Sequence, residues 1–202
     1  MLLQVSYILR GDKLFKKRGY TLIEILITIM VISTLLAIGV PFYTVMVEKL
    51  NSDAILTSAV QNVFYLFSLA RKAGFTFGNV VKINYERRNL NGKLYHVFKA
   101  FIDVDTNGVP DPDRYIYGRS KIVEISFLVS EVSVTFRSGG NVLTSLDELY
   151  TVDGMFVKKT GTAPDGSPSF DRTYSNLDIE LQHRSKKYII SISNDLPKII
   201  EQ

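Results

Sequence analysis

From Ile25 to Val47 the chain runs for 23 residues without a charge. Wound as an α-helix, that run is about 35 Å long, enough for a bilayer core of about 30 Å. A helix buried in a soluble protein is rarely apolar on every side over such a distance, so the run predicts a membrane-crossing helix. Beyond Glu48 the apolar positions thin out but keep helical spacing. Ile55, Ala59, Val63, Leu66, Ala70 and Ala73 follow steps of three and four, which predicts an amphipathic continuation packed through one stripe. Gly74, preceded by Arg71 and Lys72, reads as its stop, because glycine suits the helix end and cations complement the dipole there. One helix is therefore expected from about Thr21 to Ala73, membrane half first and core-covering half second. Phe64, Tyr65 and Phe67 are expected to pack against a sheet.

After Gly74 the period changes. "VVKINY" (80–85), "KLYHVFKAFIDV" (93–104), "KIVEISFLVSEVSVTFR" (121–137), "MFVKK" (155–159), "LDIELQH" (177–183) and "KYIISIS" (187–193) are rich in β-branched and aromatic residues, and several alternate in the manner of half-buried strands. Turn-forming clusters such as "DTNGVPDPD", "RSGGN" and "GTAPDGSPS" separate them. The last two segments are expected to close the chain as a hairpin across "RSK". The fold class is thus α+β, a long N-terminal helix packed on a C-terminal antiparallel β head. Roughly 125 residues of head suffice for one core and not two. Cysteine is absent, so an exported head must be held by its sheet and helix alone.

Charge sets the orientation. Residues 1–19 carry Arg10, Lys13, Lys16, Lys17 and Arg18 against Asp12 alone. Positive flanks stay cytoplasmic, so residues 1–19 read as a leader, 20–47 as the membrane helix and 48–202 as a head delivered across the inner membrane. The whole chain has a formal charge of +4, but 19 basic and 19 acidic residues remain past Gly19. A global electrostatic attraction to nucleic acid is thereby excluded for the processed chain; only local patches remain.

Lys17-Arg18-Gly19 followed by Tyr20-Thr21-Leu22-Ile23-Glu24 resembles the class III signal of type IV pilins and type II secretion pseudopilins. The cut point precedes the apolar core, the reverse of a conventional secretory signal. Pro41 and Tyr43 also fall where pilins carry Pro and Tyr, whereas Tyr20 stands where Phe is commonest and Ser33 where many pilins have Gly. The resemblance implies a pilin-like fold, cleavage after Gly19 by a prepilin peptidase, methylation of Tyr20, and assembly with other pilins or pseudopilins into a filament. A second, looser likeness lies in "SLARKA", "FIDVDTNGVPDPDRYI", "FVKKTG" and the closing strands, which are similar to H-type minor pseudopilins and the related FimT minor pilins. It implies two antiparallel sheets against the helix and a low-copy structural subunit, either of a secretion pseudopilus supporting protein export or of a type IV pilus taking up DNA.

A carboxylate beside a membrane helix is costly and calls for a partner. The charged α-amine of a neighbouring Tyr20 would serve, and the resemblance implies that Glu24 registers each subunit as it joins the filament. The plainer reading leaves Glu24 among lipid headgroups. Pro41 kinks the helix by removing a backbone donor; the family likeness adds that the helix melts there during packing.

Three further sites are open to reading. Asp103, Asp105 and Asn107 alternate ahead of Gly108 like the opening of a calcium loop, with hard oxygen ligands and a sharp turn. The bidentate Glu expected at the loop's end is replaced by Arg114, and Asp111 or Asp113 is its substitute. The alternative is a polar hairpin turn in which Asn107 and Gly108 take left-handed conformations. Arg184, Lys186 and Lys187 are the candidate DNA contact, although such runs are usually solvated faces. The two histidines, His96 and His183, have no nucleophile or metal-spaced partner nearby, which points away from an enzyme.

Overall fold

A computed structural model describes residues 21–116, 120–146, 149–171, 177–193 and 197–201. The chain divides after Val47 into two units. The first is the opening part of helix α1, Leu22–Phe77. Its side chains up to Met46 are exposed, and it is long and apolar enough to cross a membrane.

The second unit, from Glu48 onward, is an α+β head. In it α1 buries Leu56, Ala59, Val60, Val63, Leu66, Phe67, Leu69, Ala70 and Ala73. The expected stripe is present, widened by Leu56, Val60, Phe67 and Leu69, while Ile55 is half-buried. Phe67 packs on Phe156 with ring centroids 5.8 Å apart. Phe64 is half-buried and packs on the core, but Tyr65 faces outward, 60% exposed, so only two of the three aromatics do what was expected of them.

Eleven strands follow among the described residues: β1 (Val81–Leu90), β2 (Lys93–Ile102), β3 (Ile122–Leu128), β4 (Ser133–Ser138), β5 (Asn141–Leu143), β6 (Leu149–Val152), β7 (Met155–Thr162), β8 (Pro168–Asp171), β9 (Leu177–His183), β10 (Lys186–Ile192) and β11 (Lys198–Glu201). They form a six-stranded sheet ordered β3-β2-β1-β6-β7-β8 and a five-stranded sheet ordered β11-β10-β9-β4-β5; every pairing is antiparallel. Alternation drives the packing. In β9, Leu177, Ile179 and Leu181 point into the core while the residues between them do not. Val81, Ile83, Phe98, Ala100 and Phe156 of the larger sheet share one core with Phe136, Ile179 and Ile190 of the smaller sheet and with α1.

Four expectations are corrected. The helix ends at Phe77, not Ala73, and the left-handed stop is Gly78 at φ +59°. Gly74 is buried inside it because a Cβ there would lie 3.2 Å from the Thr151 hydroxyl and 3.3 Å from the Gly154 nitrogen; it is a packing glycine. The segment 121–137 is two strands in different sheets, because a turn at 129–132 carries the chain across. The β9–β10 hairpin does form, with His183 opposite Lys186, but it is not the end of the sheet, since β11 pairs on β10. The short edge strands β5, β8 and β11, like β6, escaped the pattern because three or four residues are too few for alternation to register.

Candidate functional site

Thr21 and Glu24 open α1 as a capping box. The Thr21 amide donates to Glu24 Oε2 at 2.8 Å, the Thr21 hydroxyl donates to the same oxygen at 3.1 Å, and the Glu24 amide donates back to the Thr21 hydroxyl at 3.3 Å. A helix start leaves amides without partners, and this exchange satisfies two of them at once. It also gives the carboxylate two local donors at the start of a run that carries no other charge up to Val47. Glu24 is the one acid in the first turn, where it complements the helix dipole. Thr28 and Thr34 turn their hydroxyls onto the carbonyls of Glu24 and Met30, at 2.7 and 2.8 Å. That hides their donors within the helix. Gly19 and Tyr20 lie outside the described residues.

Pro41 sits inside the helix. It deprives the Ala37 carbonyl of its amide partner. Helical structure nonetheless runs unbroken through it, and the Thr44 hydroxyl donates to the Pro41 carbonyl at 2.8 Å.

In the head, the loop after β2 folds on itself. Asp103 is fully buried. Its Oδ2 accepts the Gly108 amide at 3.0 Å and the Tyr150 hydroxyl at 3.4 Å. Its Oδ1 is buried without a hydrogen bond among the described residues. Burial pushes the Asp103 carboxyl above the usual aspartate range, against the pull of the Gly108 amide, and Asp105 adds repulsion. Asp105 spends both oxygens on Asn107, accepting its amide at 3.2 Å and its side-chain amide at 2.7 Å, and Asn107 in turn accepts the Val109 amide at 2.7 Å. Lys159 fastens the loop by donating to the Thr106 carbonyl at 2.8 Å. Among the described residues no three His, Cys, Asp or Glu side chains converge to hold a metal ion. The left-handed residues are Thr106 (φ +55°) and Gly108 (φ +87°). That corrects the expectation for Asn107, whose side chain instead makes the local turn. Arg114, at the position where a calcium loop carries its acid, donates to Asn79 Oδ1 at 3.1 Å.

The three clustered cations each meet an acid. Arg184 pairs with Glu48. Lys186 pairs with Asp53 at 2.6 Å, and Lys187 lies 3.8 Å from Glu180. Two of these links tie the β9–β10 hairpin to α1. His96 is fully buried, its Nδ1 2.7 Å from the Tyr85 hydroxyl. Burial and then the nearby Arg87 charge push it down to about 4. His183 Nδ1 meets the Glu131 carbonyl. Neither histidine has a catalytic neighbour in these contacts.

Sequence reasoning missed how "SLARKA" works. The Ala70 carbonyl accepts the Thr151 hydroxyl at 3.1 Å, and Arg71 Nε donates to the Gly154 carbonyl at 2.9 Å. The motif is the clamp between the end of α1 and the β6–β7 hairpin, and nothing local in the sequence names its partner some eighty residues away.

Residues 14–40 match the family model of the prokaryotic N-terminal methylation motif. No curated protein and no solved structure matches the chain. The methylation motif, the apolar helix that begins within it and the α+β head together give this chain the N-terminal signature and the architecture of a type IV pilin-like protein.

Proposed function

We propose that the protein is a minor pseudopilin, a low-copy structural subunit of a type II secretion pseudopilus that supports protein export. The observation that carries this reading is the methylation motif over residues 14–40 directly at the start of an uncovered apolar helix. In it a prepilin peptidase cuts between Gly19 and Tyr20 and methylates Tyr20. The N-terminus stays cytoplasmic, the head becomes periplasmic, and the filament takes up α1. Glu24 leaves its local donors for the Tyr20 amine of a neighbouring subunit, because an ion pair compensates a carboxylate in an apolar setting better than neutral donors do. Melting around Pro41, where one backbone bond is already missing, is part of the same step.

The balance of 19 basic and 19 acidic residues past Gly19 favours the secretion reading over DNA uptake. So do the acids at Arg184, Lys186 and Lys187, which cancel the field that phosphate would feel.

The test uses the full chain in its native membrane. Intact mass is expected to show loss of residues 1–19 and one added methyl group, and the protein is expected to co-purify with other pilin-type subunits. Glu24→Val is expected to be cut and inserted normally but to lose most of that co-purification. Glu24→Gln separates the two roles of the side chain, since glutamine completes a capping box without a charge. Incorporation as poor as that of Glu24→Val supports the ion pair. Wild-type incorporation by Glu24→Gln would leave capping as the whole role. Micromolar, salt-sensitive binding of duplex DNA that depends on the three cations would move the assignment to an uptake pilus.

A further inference from the structure

Among the described residues each sheet of the head ends in two edge strands, β3 and β8 in the larger sheet and β5 and β11 in the smaller. An open edge templates another strand, and folded proteins blunt it by shortness, proline, bulges or charge. Three of these edges are blunted in that way. β5 has three residues. β8 has four, starts at Pro168 and pairs through a register shift between Lys159 and Gly161. β11 has four, with Lys198 at one end and Glu201 at the other. β3, by contrast, has seven residues with neither proline nor glycine, and it pairs on β2 without a register shift. Its one charge, Glu124, is tied to Arg88 at 3.0 Å and so guards the edge poorly.

Which groups of β3 are open follows from its ladder. The Val129 amide donates to the Leu94 carbonyl at 3.0 Å, and Leu128 stands opposite Tyr95. Bonded pairs alternate along an antiparallel ladder, so Val123, Ile125 and Phe127 bond to β2. The Leu128 carbonyl accordingly accepts from the Glu131 and Val132 amides of the next turn, both at 3.1 Å. Ile122, Glu124 and Ser126 turn both N–H and C=O out of the sheet, and Leu128 its N–H. A groove of about 480 Å³ at this edge is lined by Ser126 and Leu128, by Glu131, and by Ala54, Ser58 and Asn62 of α1. The α1 side chains there are small, which leaves room for larger ones. Val123, Ile125 and Phe127 pack on the core but are only half-buried. The Glu131 side chain has no hydrogen-bond or ion-pair partner among the described residues.

We propose that an extended segment of another pilin-type subunit adds to β3 as a seventh strand of the larger sheet. Its main chain bonds to the open groups from Ile122 to Leu128. Its apolar side chains, at alternate positions, enter the groove over Ala54 and Ser58, and a cation near one end meets Glu131. The proposal rests on the filament-subunit reading of the chain. A row of alternating backbone donors and acceptors is matched by another strand; in such additions the main-chain bonds supply affinity and the side-chain pockets supply specificity. The free acid in the groove calls for a basic segment. β3 of a second copy would bring a second Glu124 and no cation.

The test compares the full chain purified alone in detergent with the chain co-purified with other subunits from its native membrane. In hydrogen exchange, the amides of Glu124, Ser126 and Leu128 are expected to exchange readily in the first sample and many-fold more slowly in the second. Those of Val123, Ile125 and Phe127 are protected in both and serve as the reference. Unchanged exchange at 124, 126 and 128 in a chain that does co-purify overturns the strand addition and leaves the filament reading standing. A chain that co-purifies with no pilin-type subunit refutes that reading, and the proposal with it. The natural chain has no cysteine, so a photo-cross-linker on Ser130→Cys reports from one site. It is expected to capture an extended, basic segment of a pilin-type subunit; capture of a second copy of this chain instead overturns the choice of partner. Ser126→Pro removes an outward donor and spares the β2 ladder. It is expected to keep the thermal midpoint of the chain alone but to lose the added protection and most of the cross-link. Glu131→Lys leaves the edge intact and is expected to cut the cross-link several-fold. Wild-type yields from both variants would overturn the proposal.

Discussion

At the residue scale, two buried titratable groups make opposite demands on pH. Asp103 gives acceptors to the Gly108 amide and the Tyr150 hydroxyl, so Asp103→Ala strands both donors and is expected to cost about 1–3 kcal/mol in urea unfolding. Asp103→Asn keeps one acceptor and removes a charge whose burial is unfavourable. It is expected to be near neutral at pH 7 and to lose ground to wild type as pH falls and the wild-type carboxyl takes up its proton. His96 runs the other way. Its folded value near 4 lies below the ordinary 6.5, so between those values the unfolded chain binds the extra proton. Stability from this group is complete above pH 6.5, is lost as pH falls toward 4, and changes no further below that. The loss amounts to at most about 3 kcal/mol. Unfolding of wild type and His96→Gln at pH 7 and 4.5 checks it; a pH dependence unchanged by the substitution would refute the role of this side chain.

At the element scale, the decisive joint is the end of α1 on the β6–β7 hairpin. Gly154 has φ +76°, and a Cβ on it would sit 2.9 Å from Phe75 Cβ, an atom fixed to the helix backbone. Gly166 has a similar φ of +84° with nothing within 4 Å. Gly166→Ala is therefore expected to cost only the left-handed backbone, about 1–2 kcal/mol. Gly154→Ala adds overpacking of a further 1–3 kcal/mol. The difference between the two midpoints in urea measures how tightly hairpin and helix are docked; equal costs would mean that the joint yields freely.

At the scale of the whole molecule, the cations of the β9–β10 hairpin act within the head. Arg184 and Lys186 each join this hairpin to the first head turns of α1 through Glu48 and Asp53. Exposed pairs contribute about 0.2–1 kcal/mol each and are screened by salt. The double change Arg184→Gln and Lys186→Gln is expected to lower the thermal midpoint by a few degrees at low salt, with the gap closing at high salt. A salt-independent loss would point to packing by the side-chain stems instead.

The membrane run, the helical stripe through Ala73 and the alternating strands β1, β2, β9 and β10 were legible in the sequence. Each is a periodic pattern of burial in which neighbouring positions report on one another. Glu24 stood out in the sequence as a lone charge beside an apolar run, but its capping exchange with Thr21, three positions away, was seen only in the structure. The tertiary structure alone decided the rest. It split 121–137 between two sheets, since strand propensity is blind to which sheet a strand joins. It extended α1 past Gly74, because contact with Thr151 and Gly154 there favours the absence of a side chain over a helix stop. It gave Arg71 to Gly154, and Arg184 and Lys186 to α1. Such partners lie tens to more than a hundred residues apart, where local pattern carries no information and only the folded path of the chain can set a charge beside its counter-charge.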